Sequence, residues 1–325
     1  MRRHLVPLDG SHDAEEAIAH AVALGRALSA ETILLRVLEP ERETCDSAVD
    51  SVSWRLARAE AAAYLAGWKS RLDEAGVAAE IDVREGRAAE QILEAARERQ
   101  VDLVLLTAHG LGGIGEFGLG STAQKLVAWG GTSLLLLRGT VGDAAPSLDL
   151  RYGRILVLVD GSHRADWALR TAASLARDQG GTLVVAHVVP VPEMAGLTPP
   201  SPDDLRLRDR IVARNREHAR AYLDDVVRRL SDDALEVESR LLVAPAVGRT
   251  LAALARTEGM DLVVCGAHGR GCLGEACEWP YGSVATALLS LEGPPLLVLQ
   301  DVPRPWLAAA SAASTVLGSQ PAPQA

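Results

Sequence analysis

Aromatic residues are scarce in this chain of 325 residues: six Trp, four Tyr and one Phe, 3% of the total. Binding of single-stranded nucleic acid on stacked aromatic platforms is therefore excluded, and a packed interior must come from Leu, Val, Ile and Ala. Cysteine is equally sparse, with four residues in all, too few for a disulfide scaffold. Positive charge is in deficit, 33 basic against 43 acidic residues for a formal net charge of -10. That balance repels nucleic-acid backbones and anionic lipid at long range. Long apolar runs are missing as well: the basic start resembles a leader, but the apolar stretch after it stops at Asp9, and no run reaches membrane-spanning length. The expectation is a cytoplasmic protein in a reducing compartment, without nucleic-acid or membrane partners.

What the chain does contain is itself, twice. The stretch from His4 through Asp9, Gly10, Ser11 and His12 returns 151 residues later as the stretch from Ile155 through Asp160, Gly161, Ser162 and His163. The apolar run at 33–38 returns at the same offset as 184–189. Further on, the segment ending in Ala108, His109 and Gly110 matches the one ending in Ala267, His268 and Gly269, now 159 residues apart. The growth in offset places an insertion of about eight residues in the Pro-rich segment 190–202 of the second copy. Two long repeats indicate tandem domains rather than a solenoid, whose period of ~20–50 residues would have recurred many times. Domains are expected at 1–140 and 154–302, a linker at 141–153, and a disordered Ala/Ser/Pro/Gln tail at 303–325.

Within the first copy, apolar strands at 5–8, 33–38, 101–107 and 134–137 and an alternating one at 80–84 are separated by helical patterns at 13–29, 55–75, 88–99 and 122–128. Unbroken Leu/Val strands between amphipathic helices predict an α/β fold, a five-stranded parallel sheet sandwiched by helices in each copy. The arginines at 206–220 alternate with acids and are expected on a solvated helix face.

Ligands of open parallel sheets bind beyond the carboxyl ends of the strands. After the first strand come Asp9 and Asp160, whose carboxylates can accept hydrogen bonds, while Ser11 and Ser162 are expected to be N-caps. A Ser11/His12 nucleophile pair lacks an orienting partner and is set aside. After the fourth strand comes a glycine-rich stretch, Thr107, His109, Gly110, Gly112, Gly113 and Gly115, then Gly120, Ser121 and Thr122; its copy carries Gly266, His268, Gly269, Gly271 and Gly274, then Gly282, Ser283 and Val284. Such a loop, ending at a helix start, can cradle phosphate with backbone amides and needs no Lys or Arg. Its G-x-G-x-x-G spacing follows the fourth strand rather than the first, and the stretch from Phe117 to Thr140 contains no Asp or Glu at the distance where the acidic residue belongs, so a dinucleotide fingerprint is rejected; the Walker pattern fails too. Cys265, His268, Cys272 and Cys277 have the residue types of a zinc site, but the other copy has no equivalent cysteines and no metal site is expected.

The order of an Asp after the first strand, Val37 or Val188 in the second, and a Gly-x-x-Gly-x9-Gly-Ser/Thr loop after the fourth resembles the universal stress protein family, over nearly all of residues 4–301. The resemblance implies a Rossmann-like, adenine nucleotide alpha hydrolase-like domain holding ATP, or ADP or AMP, with Mg. It implies that Asp9 faces the ribose beside Pro7, that Val37 meets adenine through its backbone, and that Gly110, Gly120, Ser121 and Thr122 cradle the phosphates. Asp160, Val188, Gly266, Gly269, Gly282 and Ser283 would do the same in the second copy. Each copy departs once: Thr107 replaces the leading glycine in the first, and 12 residues rather than nine separate Gly269 from Gly282 in the second, with Trp279 in the insertion. The resemblance also implies pairing through the edge strands at 134–137 and 296–299, here within one chain as a pseudo-dimer, with a homodimer and a regulatory protein partner as further expectations. A nucleotide-free scaffold of the same fold and a slow adenylate hydrolase stay open; no residue is placed as a general base on an attacking water.

Overall fold

A computed structural model describes residues 2–39, 51–108, 119–129, 131–138, 146–194, 199–271 and 280–300. The N-terminal half runs β1 (Arg3–Pro7), α1 (His12–Leu28), β2 (Glu31–Leu38), α2 (Ser51–Glu74), β3 (Ala79–Glu85), α3 (Ala88–Glu98), β4 (Leu103–Thr107), α4 (Ser121–Trp129) and β5 (Ser133–Leu137). The C-terminal half repeats this order as β6 (Arg154–Leu158), α5 (His163–Gln179), β7 (Thr182–Pro190), α6 (Pro202–Leu230), β8 (Val237–Ala244), α7 (Val247–Thr257), β9 (Leu262–Gly266), α8 (Ser283–Ser290) and β10 (Leu296–Leu299). Each half is thus the predicted five-stranded parallel α/β unit. Helices α1, α2, α5 and α6 cover one face of the sheet and α3, α4, α7 and α8 the other, with Leu, Val, Ile and Ala filling both layers.

The two sheets join into one of ten strands, ordered β3-β2-β1-β4-β5-β10-β9-β6-β7-β8. The junction is antiparallel: Leu296 pairs with Leu136, Leu297 with Leu135 and Val298 with Leu134. Both junction strands are wholly buried. The edges that would otherwise invite pairing with another molecule therefore satisfy each other. The remaining edges, β3 and β8, instead carry ion pairs: Arg84 with Asp82 (3.0 Å) and Glu98 (2.7 Å), and Arg240 with Glu238 (2.7 Å) and Glu258 (2.8 Å).

Side chains reinforce the junction. Arg138, just after β5, donates to the carbonyls of Leu288 (2.7 Å) and Leu289 (3.3 Å) at the end of α8, satisfying groups that a helix terminus leaves open. Helices α1 and α5 pack together, and Gln179 accepts from the Tyr152 amide (2.6 Å) while donating to the Ala23 carbonyl (3.3 Å). Tyr152 lies within the expected linker, yet it is fully buried, with its hydroxyl 2.6 Å from His20 Nδ1. The described end of that segment is part of the core, with Leu148 and Leu150 packed against it. The rest of the linker up to 145 and the tail at 303–325 lie outside the described residues.

Candidate functional site

Each half turns from its first strand into its first helix in the same way. Gly10 (φ +82°) and Gly161 (φ +76°) take left-handed backbone that side chains disfavour. Ser11 and Ser162 cap the helices, accepting from the amides of Ala14 (3.1 Å) and Ala165 (3.2 Å). Asp9 in turn accepts from the Ser11 amide (2.9 Å) and hydroxyl. Asp160 accepts from the Ser162 amide (2.9 Å) and hydroxyl, and also from the Arg270 amide (2.8 Å). Burial alone would push the Asp160 carboxyl up, but these bonds and the Arg270 guanidinium outweigh it and hold the group below the usual carboxylate range. Its first structural role is thus to lock the loop after β9 onto the turn after β6. A Cβ at Gly269 would collide with the Asp160 carboxylate, which is why that position is glycine.

The loop after the fourth strand closes identically in both halves. The Ala108 amide donates to the Leu137 carbonyl (2.6 Å) and the Gly120 amide to the Ala108 carbonyl (2.6 Å); the corresponding bonds of Ala267 to Leu299 and Gly282 to Ala267 are both 2.8 Å. The three extra residues of the second loop therefore leave its ends where the first loop has them. Ser121 and Ser283 are the first residues of α4 and α8, whose first-turn amides have no partner within the helix.

In the C-terminal half these elements surround a cleft of about 1090 Å³, just above the usual range for small-molecule sites, about 300–1,000 Å³. It brings together Asp160, Val188, Gly266, His268, Gly269, Gly271, Gly282, Ser283 and Val284, all residues expected there. It straddles the end of the sheet. Val188 and Tyr281 belong to the layer under α7 and α8, while His187 and Tyr222 stand on the α5 and α6 side. Among the lining residues not expected, the polar ones are His187, Asn215, His218, Tyr222 and Arg270. An acidic protein with backbone amides at its anion site does place one guanidinium at the cleft, since Arg270 is exposed and stands over Gly161. Its position in the quoted loop was visible in the sequence, but its direction depends on the turn after β6 and was not.

In the N-terminal half, Pro7, Asp9, Val37, Thr107, Gly120, Ser121 and Thr122 occupy the equivalent strand ends, while His109, Gly110, Gly112 and Gly113 lie outside the described residues. Thr107 is buried, and a Cβ at its counterpart Gly266 would stand 3.1 Å from the His268 carbonyl, so a residue larger than glycine needs a small shift of the loop. Arg36 lies over Gly10 and donates to the Leu8 carbonyl (3.2 Å). Behind it Tyr64 donates to Glu15 (2.7 Å), which also accepts from Trp68 (3.3 Å). The second half keeps the tyrosine as Tyr222 but has Asp166 for Glu15 and Val226 for Trp68. One methylene shorter, Asp166 makes no hydrogen bond to Tyr222, whose buried hydroxyl has no partner among the described residues.

Cys265 is buried at the end of β9, which pushes its thiol up to about 12; Cys272 and Cys277, like Trp279, lie outside the described residues. Among the described residues no group of three or more His, Cys, Asp or Glu is placed to hold a metal, and no helix is long and apolar enough to cross a membrane.

Two copies of a doubly wound unit, each with an Asp-Gly-Ser turn facing a glycine loop, define a duplicated α/β protein with its cleft at the strand ends. The universal stress protein family model matches residues 1–138 and again 151–299, and the chain belongs to that family of stress-response proteins. A universal stress protein of Thermus aquaticus is 34% identical over 140 residues, 41% of this chain and 96% of the relative. A putative universal stress protein structure from Pseudomonas aeruginosa UCBPP-PA14 covers 97% of this chain and 98% of its own, with TM-score 0.64 and 19% identity. One from Archaeoglobus fulgidus DSM 4304 covers 93% and 98%, with TM-score 0.59 and 17% identity. At those identities the two structures establish the fold.

Proposed function

We propose that this protein binds an adenine nucleotide in the C-terminal cleft and acts as a cytoplasmic regulatory protein of the stress response, nucleotide occupancy setting the conformation of the loops at the sheet's end and so the choice of protein partner. The observation that carries this reading is the cleft itself, about 1090 Å³ between the Asp160 turn and the Gly282–Ser283 helix start. Val188 supplies backbone groups for the base, Asp160 and Gly266 flank the ribose, and Gly269, Gly271, Gly282, Ser283 and Val284 offer amides to the phosphates of ATP arriving as its Mg complex. His268 helps to hold the loop. Arg270 adds a positive charge to the backbone donors.

A scaffold role without nucleotide is favoured for the N-terminal half by Arg36, which occupies the strand position that His187 holds in the cleft of the second half and donates to the Leu8 carbonyl. In that arrangement the N-terminal half serves as a fixed partner for the other, joined through β5 and β10.

The test is denaturing extraction of protein purified under native conditions, followed by mass spectrometry, with thermal unfolding in the presence and absence of ATP. Recovery of adenine nucleotide and a rise in melting temperature are expected. No nucleotide together with no shift would contradict the proposal.

A further inference from the structure

We propose that His187 is a specificity-determining residue of the C-terminal cleft, selecting a base that carries an exocyclic amino group. The inference rests on the adenine-nucleotide reading above and supplies a group that would enforce it. His187 lies near the carboxyl end of β7, one residue before Val188, and lines the cleft. Its Nδ1 stands 2.7 Å from the Val159 carbonyl oxygen. A carbonyl can only accept, so Nδ1 carries the proton, and in the Nδ1–H tautomer Nε2 is an acceptor with no N–H to offer. Nε2 makes no hydrogen bond among the described residues and is not sealed from solvent.

The other half fixes the contrast. The position equivalent to His187 is Arg36, and the position equivalent to Val159 is Leu8. Arg36 Nη1 donates to the Leu8 carbonyl (3.2 Å), so both side chains make the same backbone contact. Beyond it they present opposite polarity, because a guanidinium has donors only. Asp160 is poorly placed to supply the same selection, since its carboxylate already accepts from two amides and a hydroxyl. A 6-aminopurine offers an N–H to Nε2. A 6-oxopurine offers a carbonyl oxygen in its place, and two lone pairs then face each other with no proton between them, the kind of mismatch for which polar sites discriminate strongly.

The experiment is isothermal titration calorimetry of MgATP and MgGTP into the full chain and into His187→Arg and His187→Leu, with thermal unfolding as a check on folding. His187→Arg installs the donor that the first half carries; His187→Leu removes the acceptor without adding charge and keeps the test decisive if the arginine variant does not fold. The original protein is expected to bind ATP roughly 10- to 100-fold more tightly than GTP, and both variants to bring the ratio within about threefold, chiefly by weakening ATP. Equal affinity for the two nucleotides in the original protein would overturn the role of His187 and leave nucleotide binding standing. So would a preference for ATP that survives His187→Leu. Binding of neither nucleotide to the original protein would overturn the nucleotide reading, and this inference with it.

Discussion

The two halves share a fold, a capped Asp-Gly-Ser turn and a loop closure, yet they treat the space above the sheet differently. In the first, Arg36 lies over the turn and the Tyr64–Glu15–Trp68 set ties α2 to α1. In the second, an arginine stands over the equivalent glycine but comes from the opposite side, from the loop after β9, and the strand position it vacates holds His187. The helix tie is gone because Asp166 is one methylene short and Val226 replaces an indole. The two halves share the backbone scaffold, which glycine and serine dictate locally, and differ in the side chains that stand around the strand ends.

The junction and the outer edges make the comparison of largest expected effect. Leu297→Lys would bury a charge between β5 and β9, with an expected loss of about 4 kcal/mol or more in stability by chemical denaturation. Ile81→Lys on the outer edge strand β3, where the side chain is 37% exposed, should cost within about 1 kcal/mol. Equal costs would mean that the halves do not depend on their shared junction.

Acid should separate the halves next. Burial lowers His4 and His20 to about 4 from the ordinary 6.5, and both lie in the N-terminal half; the equivalent positions in the other half are Ile155 and Thr171. A histidine held neutral by burial stabilises fully above its unfolded pKa of 6.5, and that contribution is lost as pH falls from 6.5 toward 4, amounting to about 3 kcal/mol per residue at the lower limit. Hydrogen exchange at pH 5 should therefore show β1 and α1 opening before β6 and α5. Among the described residues neither His4 nitrogen has a partner, nor does the neighbouring buried Thr32 hydroxyl. Replacing this pair by the Ile and Leu of the second half, His4→Ile with Thr32→Leu, should raise stability by about 1–3 kcal/mol at pH 7 and flatten the acid dependence.

The smallest difference lies in the two tyrosines. Tyr64→Phe removes a donor from Glu15 and should cost about 1 kcal/mol, whereas Tyr222→Phe removes a buried hydroxyl without a partner and should be neutral or stabilising by up to about 1 kcal/mol. Thermal unfolding of the two variants decides whether the helix tie is confined to the first half.

Much of this was legible in the sequence. The duplication, the strand and helix order, and the serine caps follow from repeat offsets, periodicity and turn chemistry, all local properties. The antiparallel register of β5 on β10 was foreseen only as a pairing of edges, since register depends on how two apolar strands without alternation meet. The burial of Tyr152 was hidden in a segment whose Gly, Pro and Asp content reads as linker. His187, Arg270 and the Glu15/Asp166 exchange were beyond reach for a common reason. Each matters through a partner more than 25 residues away, such as Val159 for His187 and Gly161 for Arg270, and only the packed sheet brings such pairs together.

The central claim is that the C-terminal cleft holds an adenine nucleotide on its glycine loop. Calorimetric titration of MgATP into the full chain and into Gly269→Val, whose side chain would meet the Asp160 carboxylate, tests it most directly. Saturable binding that the substitution abolishes while the N-terminal half remains folded is the predicted result; no binding, or binding that Gly269→Val leaves unchanged, would contradict it.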